Sequence, residues 1–435
     1  MPGRSARGSP SLRNLFAVIL ALAGVTAVFC AAPGPSRSAV LFIGDGMGPA
    51  YVTATRVARG GSGGRLRMDG LPYTALSRTH AADSPVTDSA AAASAMACGR
   101  KTANGVLCED ATAVYLKRDG RKLESIAVWA KKRGLRVGLV TTTTVTHATP
   151  AAFYAQEKDR DNEAGIARQA VASGFDFLLG GGRKFFPDDV RAEARAAGFT
   201  IVETADALRA MGSLDRRVLG LFSDGHLPYQ PEIEAARKRP DGEGDAAARG
   251  APTIVEMTRW AIDTLGKTGQ PFFLMVEGGR IDHAGHANWA RTLVDETAAF
   301  DEAIGYAVDT LDPKTALVLV TADHETGGLA LNGYPDEQDG IWSAYRDPWG
   351  EKGDEPYPVV TFSSGPGTKR QTRRPPHGAD DPRPSGLSLG SAAHTGVDVV
   401  LYAWGAGAER VHGTVENTAI YAILRENLEG KTRER

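Results

Sequence analysis

The sequence predicts an α/β fold: a doubly wound, mainly parallel central sheet flanked by helices and interrupted by one irregular insertion. Three observations carry this. Short apolar runs end in Gly, Asp, Glu or Thr, as parallel strands do where they meet functional loops. Helical periodicities separate those runs, and the alternation places ligands at the strands' carboxyl ends. One stretch, 333–393, breaks the alternation and is rich in Gly, Pro, Asp and Arg.

In chain order, Ala39–Ile43 is a first strand running into Gly44, Asp45 and Gly46. Ser89–Ala97 is alanine-rich and stops at Gly99, which predicts a short helix with a glycine end signal. Arg136–Val140 runs into four threonines and His147, Phe272–Val276 runs into Glu277, and Ala316–Val320 runs into Asp323 and His324. Between the last two, Trp289, Leu293, Phe300, Ile304, Ala307 and Leu311 form one apolar stripe of a long helix. Within 333–393 only Pro358–Phe362 reads as a strand; Asp398–Tyr402 follows closely after His394 as a last apolar run. Arg237–Gly250 is a polar, flexible segment.

The 435 residues can bury a large core, and 42% hydrophobic with 23% charged residues is ordinary for a soluble globular chain. A formal net charge of −2 provides no electrostatic footprint for nucleic acid or an anionic membrane. Residues 1–38 differ from the rest: Arg4, Arg7 and Arg13 precede an apolar run from Leu15 to Ala32. That pattern predicts an export segment, cleaved between Cys30 and Ala39, rather than a retained anchor. The polar tail 430–435 carries no glycolipid-anchor signal. Export would leave Cys98 and Cys108, which could pair in an oxidising compartment, but a chain this size needs no staple and a buried small residue at Cys98 is the preferred reading.

Chemistry concentrates in short polar clusters: His147 to Thr149, Glu277 to His286, Asp323 with His324, and His394 with Thr395. Asp282 and His286, four apart, can aim a carboxylate and an imidazole at one metal, and Asp323–His324 presents the same pair. Any one such pair is as readily a surface loop, but several at strand ends in one chain indicate a metal centre. Ser89 falls in the first turn of its helix, where free N–H groups and the helix dipole favour an anion. An N-cap without catalysis explains Asp88–Ser89 equally well when that segment is taken alone.

Five segments in order, Asp45 in Phe42–Met47, Asp88–Ala90, Glu277–His283, Thr321–His324 and His394–Gly396, resemble the alkaline phosphatase family over about residues 39–429. The resemblance implies a phosphoric monoester hydrolase with two Zn²⁺ and one Mg²⁺. One zinc would be held by Asp282, His286 and His394. The other would be held by Asp45, Asp323 and His324, with Ser89 completing its shell. The magnesium would take Asp45, Thr149 and Glu277. Ser89 would be the nucleophile of a phosphoserine intermediate, and Arg160, thirteen residues after His147, the phosphate-binding arginine. His147 and His283 stand where some bacterial members carry Asp and Lys, and are placed beside the metals rather than on them. No calcium is expected, since the carboxylates of the animal members' extra site have no clear match here; Ser223 lies near one of those positions. The 333–393 insertion resembles the family's crown region in place, and a homodimer follows by family analogy. His80, His226, His377 and His412 are assigned no role. The runner-up is a phosphodiesterase or phosphonate hydrolase of the same superfamily, but Ser89 with Arg160 favours monoesters; a sulfatase would need its own modified residue, and a metal- or phosphate-binding module without turnover would leave Ser89 unexplained.

Overall fold

The structure is a computed structural model that describes residues 3, 37–240, 243–333, 340–342, 344–345, 357–367 and 382–431. The expected export segment lies outside the described residues apart from positions 3, 37 and 38, and so do most of the 333–393 stretch and residues 432–435.

Eight of the ten strands of the main sheet are β1 (Ser38–Gly44), β2 (Tyr73–Arg78), β3 (Arg136–Thr144), β4 (Phe177–Gly181), β5 (Phe199–Val202), β6 (Arg217–Leu221), β7 (Phe272–Glu277) and β8 (Ala316–Ala322). Two more, Val399–Gly405 and Thr414–Glu416, complete it. From one edge the order is Thr414–Glu416, β2, Val399–Gly405, β8, β1, β7, β3, β4, β6, β5. The central strands are uniformly apolar because helices cover both faces: every residue of β8, and all of β1 but Ser38, is buried. One face packs Leu41, Leu139, Phe273 and Leu319; the other packs Val40, Phe42, Leu274 and Val318 against the long helix Ala290–Thr310. That helix is the one whose apolar stripe was read from Trp289 to Leu311, with those two residues as its caps.

The sequence grouped Asp398–Tyr402 with the parallel strands; the structure makes Val399–Gly405 antiparallel to both β8 and β2. The reversal has a use. A strand running opposite to its neighbours begins where they end, so His394, just before it, is delivered to the same edge as Asp45, Glu277 and Asp323. Within the insertion, the run read as one strand at Pro358–Phe362 is divided. Tyr357–Pro358 pairs with Ala344–Tyr345, and Val360–Gly365 pairs antiparallel with Leu329–Leu331 and parallel with Ser385–Ser388. Arg237–Gly250 is partly helical, since the helix Gln230–Lys238 enters it and Ala246–Gly250 adds a short turn capped by Asp245.

Candidate active site

At the carboxyl end of β1, Asp45 is fully buried and the chain turns at Gly46 with φ +68°. A side chain at Gly46 would stand 2.7 Å from Asp282 Oδ1 and 2.8 Å from Thr326 Oγ1, so the close approach of these elements requires glycine. The Gly46 N–H (3.0 Å) and His324 N–H (2.9 Å) both donate to Asp323 Oδ1. The helix Ser89–Cys98 begins against this group. Asp88 is its N-cap, accepting from the Ala91 N–H at 2.9 Å, and Gly99 closes it in the left-handed conformation. Capping falls to Asp88, which frees the Ser89 hydroxyl to stand 3.3 Å from His324 Nε2.

The threonines ending β3 have separate duties. Thr141 and Thr143 donate to Glu277 Oε2, while Thr144 and Thr146 donate to Glu163 Oε2 at 2.7 and 2.6 Å. Thr149 follows in the turn Ala148–Ala151, its hydroxyl 3.5 Å from Asp45 Oδ2. Beyond β7, the helix Arg280–His286 sets Asp282 Oδ2 3.2 Å from His286 Nε2. Arg160 donates to Asp88 Oδ2 at 3.0 Å and to His147 Nε2 at 3.2 Å.

Three features of this cluster fit cations. First, its histidines are oriented from behind. His286 Nδ1 donates to the Ala392 carbonyl (2.6 Å) and His394 Nδ1 to the Thr87 carbonyl (2.9 Å). Both Nε2 lone pairs then face each other at 3.1 Å beside Asp282, an arrangement that needs a shared positive charge. Second, Asp45 Oδ1, Asp323 Oδ2, Glu277 Oε1 and His147 Nδ1 are buried without a hydrogen-bond partner. Third, donor atoms fall within 4.8 Å of one another in three sets: Asp282–His324–His394, Asp45–Asp323–His324 and Asp45–His147–Glu277.

The electrostatics agree. Burial, reinforced by Asp323, Asp282 and Glu277, pushes the Asp45 carboxyl well above its ordinary range. Asp323 is pushed up to about 7, chiefly by burial. Burial also depresses His324, with His394 adding to it. Asp282 goes the other way: burial would raise it, but the His286 hydrogen bond and the surrounding imidazoles hold it well below the usual carboxylate range. A site in which burial disfavours charge on His324 and His394, the Asp282 carboxylate raises the pKa of His286, and the other carboxylates cannot all ionise together is one completed by metal.

A family model described as alkaline phosphatase matches residues 36–429. The chain belongs to the alkaline phosphatase family. It is a phosphoric monoester hydrolase of this metal-dependent family. Among similar proteins, streptomycin-6-phosphate phosphatase from Streptomyces griseus is 33% identical over 96% of both chains. The Gadus morhua alkaline phosphatase is 32% identical over 88% of this chain and 90% of its own length. The solved Thermus thermophilus alkaline phosphatase aligns with TM-score 0.70 at 28% identity over 92% of this chain and 94% of its own. The enzyme from the Antarctic bacterium TAB5 aligns at 0.67 and 27%, over 92% and 100%.

The candidate ligands together with Ser89, Arg160, His147 and His283 lie at this one edge. Two placements add to the reading. His147 is nearer the Asp45–Glu277 group than its position two residues before Thr149 implies, its Nδ1 standing 3.7 Å from Glu277 Oε1. Because arginine can only donate, the Arg160 contact makes His147 Nε2 the acceptor and leaves the proton on Nδ1, facing Glu277. His226, assigned no role, is the residue sequence reasoning missed. It accepts the Thr144 N–H at 3.1 Å and lies 4.5 Å, ring to ring, from His283 and 5.7 Å from His147. Burial, with His147 beside it, lowers its pKa to about 3, so it contributes a neutral ring. The available signal was its place just after β6, the strand-end position that marked the other clusters. Among the described residues no helix is long and apolar enough to cross a membrane.

Proposed function

We propose that this enzyme hydrolyses phosphate monoesters through a phosphoserine on Ser89, at a site of two Zn²⁺ and one Mg²⁺. Asp282, His286 and His394 would hold one zinc; Asp45, Asp323 and His324, with Ser89, the other; Asp45, Thr149 and Glu277 the magnesium, with His147 and His283 beside them. Bound there, the cations would neutralise the phosphoryl charge and favour ionisation of the attacking hydroxyl. The chain's own residues do the rest. The free N–H groups of the first helical turn and the Arg160 guanidinium bind the non-bridging oxygens. Asp88 fixes that guanidinium, so it is oriented before substrate arrives. Ser89 Oγ attacks phosphorus in line, the alcohol leaves, and water then hydrolyses the phosphoserine to free phosphate. Export of the mature chain after loss of residues 1–38, a catalytic domain over 39–429 with an insertion at about 333–393, a polar tail and a homodimer complete the proposal.

The observation that carries it is Ser89 Oγ, 3.3 Å from the His324 nitrogen that faces Asp45 and Asp323. Ser89→Ala with zinc and magnesium added should retain its metals and take up no radiophosphate at low pH. Acid-stable labelling of that variant would overturn the assignment. A second reading concerns His147. If His147 gave up the Arg160 contact and moved its proton to Nε2, its Nδ1, 3.7 Å from Glu277 Oε1, would suit a nitrogen ligand, and a nitrogen ligand would favour zinc over magnesium there. Elemental analysis of His147→Asp decides between them: magnesium retention equal to the parent's would favour the magnesium reading.

A further inference from the structure

We propose that Cys98 and Cys108 form a disulfide behind the nucleophile's helix, and that this bond holds the loop which positions Asp88 and Arg160. Both are thiols in the structure, 8% and 0% exposed, with their sulfurs 2.6 Å apart. A bond of about 2.04 Å needs only a small further approach.

The backbone is arranged for that contact. Cys98 is the last residue of the helix Ser89–Cys98, and Gly99 then turns the chain back at φ +68°. Cys108 is held at φ +44°, a left-handed conformation that non-glycine residues seldom take. Its N–H donates to Ser94 Oγ of the same helix at 2.8 Å, and its carbonyl accepts the Leu123 N–H at 2.8 Å. Its sulfur donates to the Ala152 carbonyl at 2.9 Å. A metal does not explain the pair: among the described residues no metal-capable cluster of three includes either cysteine.

The loop thus closed does work at the site. Asn104 Oδ1 accepts the Asp88 N–H at 2.8 Å, and the Gly105 N–H donates to Asp88 Oδ2 at 2.9 Å. The Gly105 carbonyl accepts the Arg160 N–H at 2.9 Å. A link from Cys98 to Cys108 therefore spans the segment that aligns both the cap of the nucleophile's helix and the arginine. In forming it, two S–H bonds break and one S–S bond forms. The two electrons reduce the disulfide of a thiol-exchange partner, such as oxidised glutathione, to two thiols that keep the two protons. Because the folded protein buries both sulfurs, the bond forms while the chain folds. Once formed, the buried bond resists exchange, because attacking thiolates cannot easily reach it and Cys98, whose thiol pKa is raised by desolvation, is a poor leaving group.

The test is refolding of the full chain with zinc and magnesium, in oxidised and reduced glutathione or in dithiothreitol. Trypsin separates the cysteines into peptides 79–100 and 102–117, with Cys30 in peptide 14–37. The glutathione sample should show 79–100 joined to 102–117 and melt about 5 °C above the dithiothreitol sample. Two free thiols in those peptides, or a link from either to 14–37, would overturn the bond. The loop's effect on phosphate rests on the site proposed above, whereas the bond does not. Cys98→Ala should raise the phosphate inhibition constant a few-fold, well short of the ~10²-fold that a misplacement of about 1 Å can bring. A bond found intact in the parent, together with an unchanged constant in Cys98→Ala, overturns the positioning role. Arg160→Ala, run alongside, reports separately on the site: no change in that variant faults the site, not the loop.

Discussion

Asp176 and Asp323 are buried carboxylates at opposite ends of the same sheet, one just before β4 and the other just after β8. Asp176 is completely matched. Lys131 Nζ (2.7 Å) and the Val137 N–H (2.8 Å) reach one oxygen, and Arg136 Nη1 (2.8 Å) reaches the other. Asp323 has two N–H donors on one oxygen and none on the second, with Asp45 and Glu277 also leaving an oxygen bare nearby. Burying a carboxylate is costly wherever it happens. At the amino end the protein offsets that cost with its own cations. At the carboxyl end it leaves the cost standing, as a site that takes its cations from solution does. The difference marks which acids fold the protein and which work for it.

The comparison breaks most visibly at Asp323. With zinc and magnesium supplied, Asp323→Asn should lower kcat/KM on an aryl phosphate by about 10³-fold or more, since it removes a ligand of the proposed nucleophile-side metal. After chelation the order inverts. The variant should melt no lower than the parent at pH 8, because one of several crowded acids is gone. Chelation should lower the parent's melting temperature, as loss of a ligand bound only by the folded state does. A chelated variant melting well below the chelated parent would make Asp323 a folding residue like Asp176.

Asp176→Asn is the mirror experiment. It leaves Lys131 and Arg136 facing a neutral amide, and with those partners partly exposed the loss should be about 2–3 kcal/mol of stability. Denaturant unfolding checks the loss, and kcat/KM of the folded variant should stay within about twofold of the parent. A large fall in activity at unchanged stability would erase the distinction between the two ends.

Arg160 sharpens the comparison from the cationic side. Its guanidinium is held by a single carboxylate, that of Asp88, and its other end meets neutral His147 Nε2. Arg136 is paired in the same way, with Asp176 and the neutral Gln270 Oε1, so what sets Arg160 apart is that its spare donors lie beside the start of the Ser89 helix. Arg160→Ala should weaken inhibition by inorganic phosphate by a factor corresponding to about 1.5–3 kcal/mol, with a smaller change in kcat. An inhibition constant equal to the parent's would place Arg160 outside the site.

How much of this was legible follows from where the information lies. Asp45, Glu277, Asp323 and Ser89 announce themselves because each sits within a few residues of an apolar run or a helix start, and local pattern reveals such ends. The helix Ser89–Cys98 and its Gly99 stop were readable for the same reason. The antiparallel entry of Val399–Gly405 was not. Its composition matches a parallel strand, and orientation is decided by which neighbours it pairs with across the chain. His226 was missed because a single histidine carries no local signature; its meaning comes from His147 and His283, brought beside it from other strands. The pairing that makes Asp176 a folding acid was equally hidden, since Asp176 lies 45 and 40 residues from Lys131 and Arg136 in sequence.

Glu296 tests the comparison at its middle term: a buried acid with neither cations of its own nor a place in the cluster. It is 4% exposed in the helix Ala290–Thr310 and accepts the Gln230 N–H at 2.5 Å. Burial pushes its pKa up to about 7; that N–H and Arg280 lower it, while Asp295 and Glu232 raise it. The folded protein therefore holds a proton here that the unfolded chain releases near the ordinary glutamate value of about 4.3. Between those values the native state binds more protons, so this group's stabilisation is full below the unfolded value and is lost as pH rises through 7. Glu296→Gln keeps an oxygen for the Gln230 N–H and cannot ionise. Measured by denaturant unfolding of the metal-loaded proteins, the variant's stability relative to the parent should grow by about 2–3 kcal/mol between pH 5 and pH 8. The depressed histidines, His226, His283, His324 and His394, give the opposite slope below their unfolded pKa, but they are common to both proteins and cancel in the difference. Parallel curves across that range would mean that Glu296 is ionised and satisfied like Asp176, and that burial with one N–H suffices to hold a carboxylate in this core.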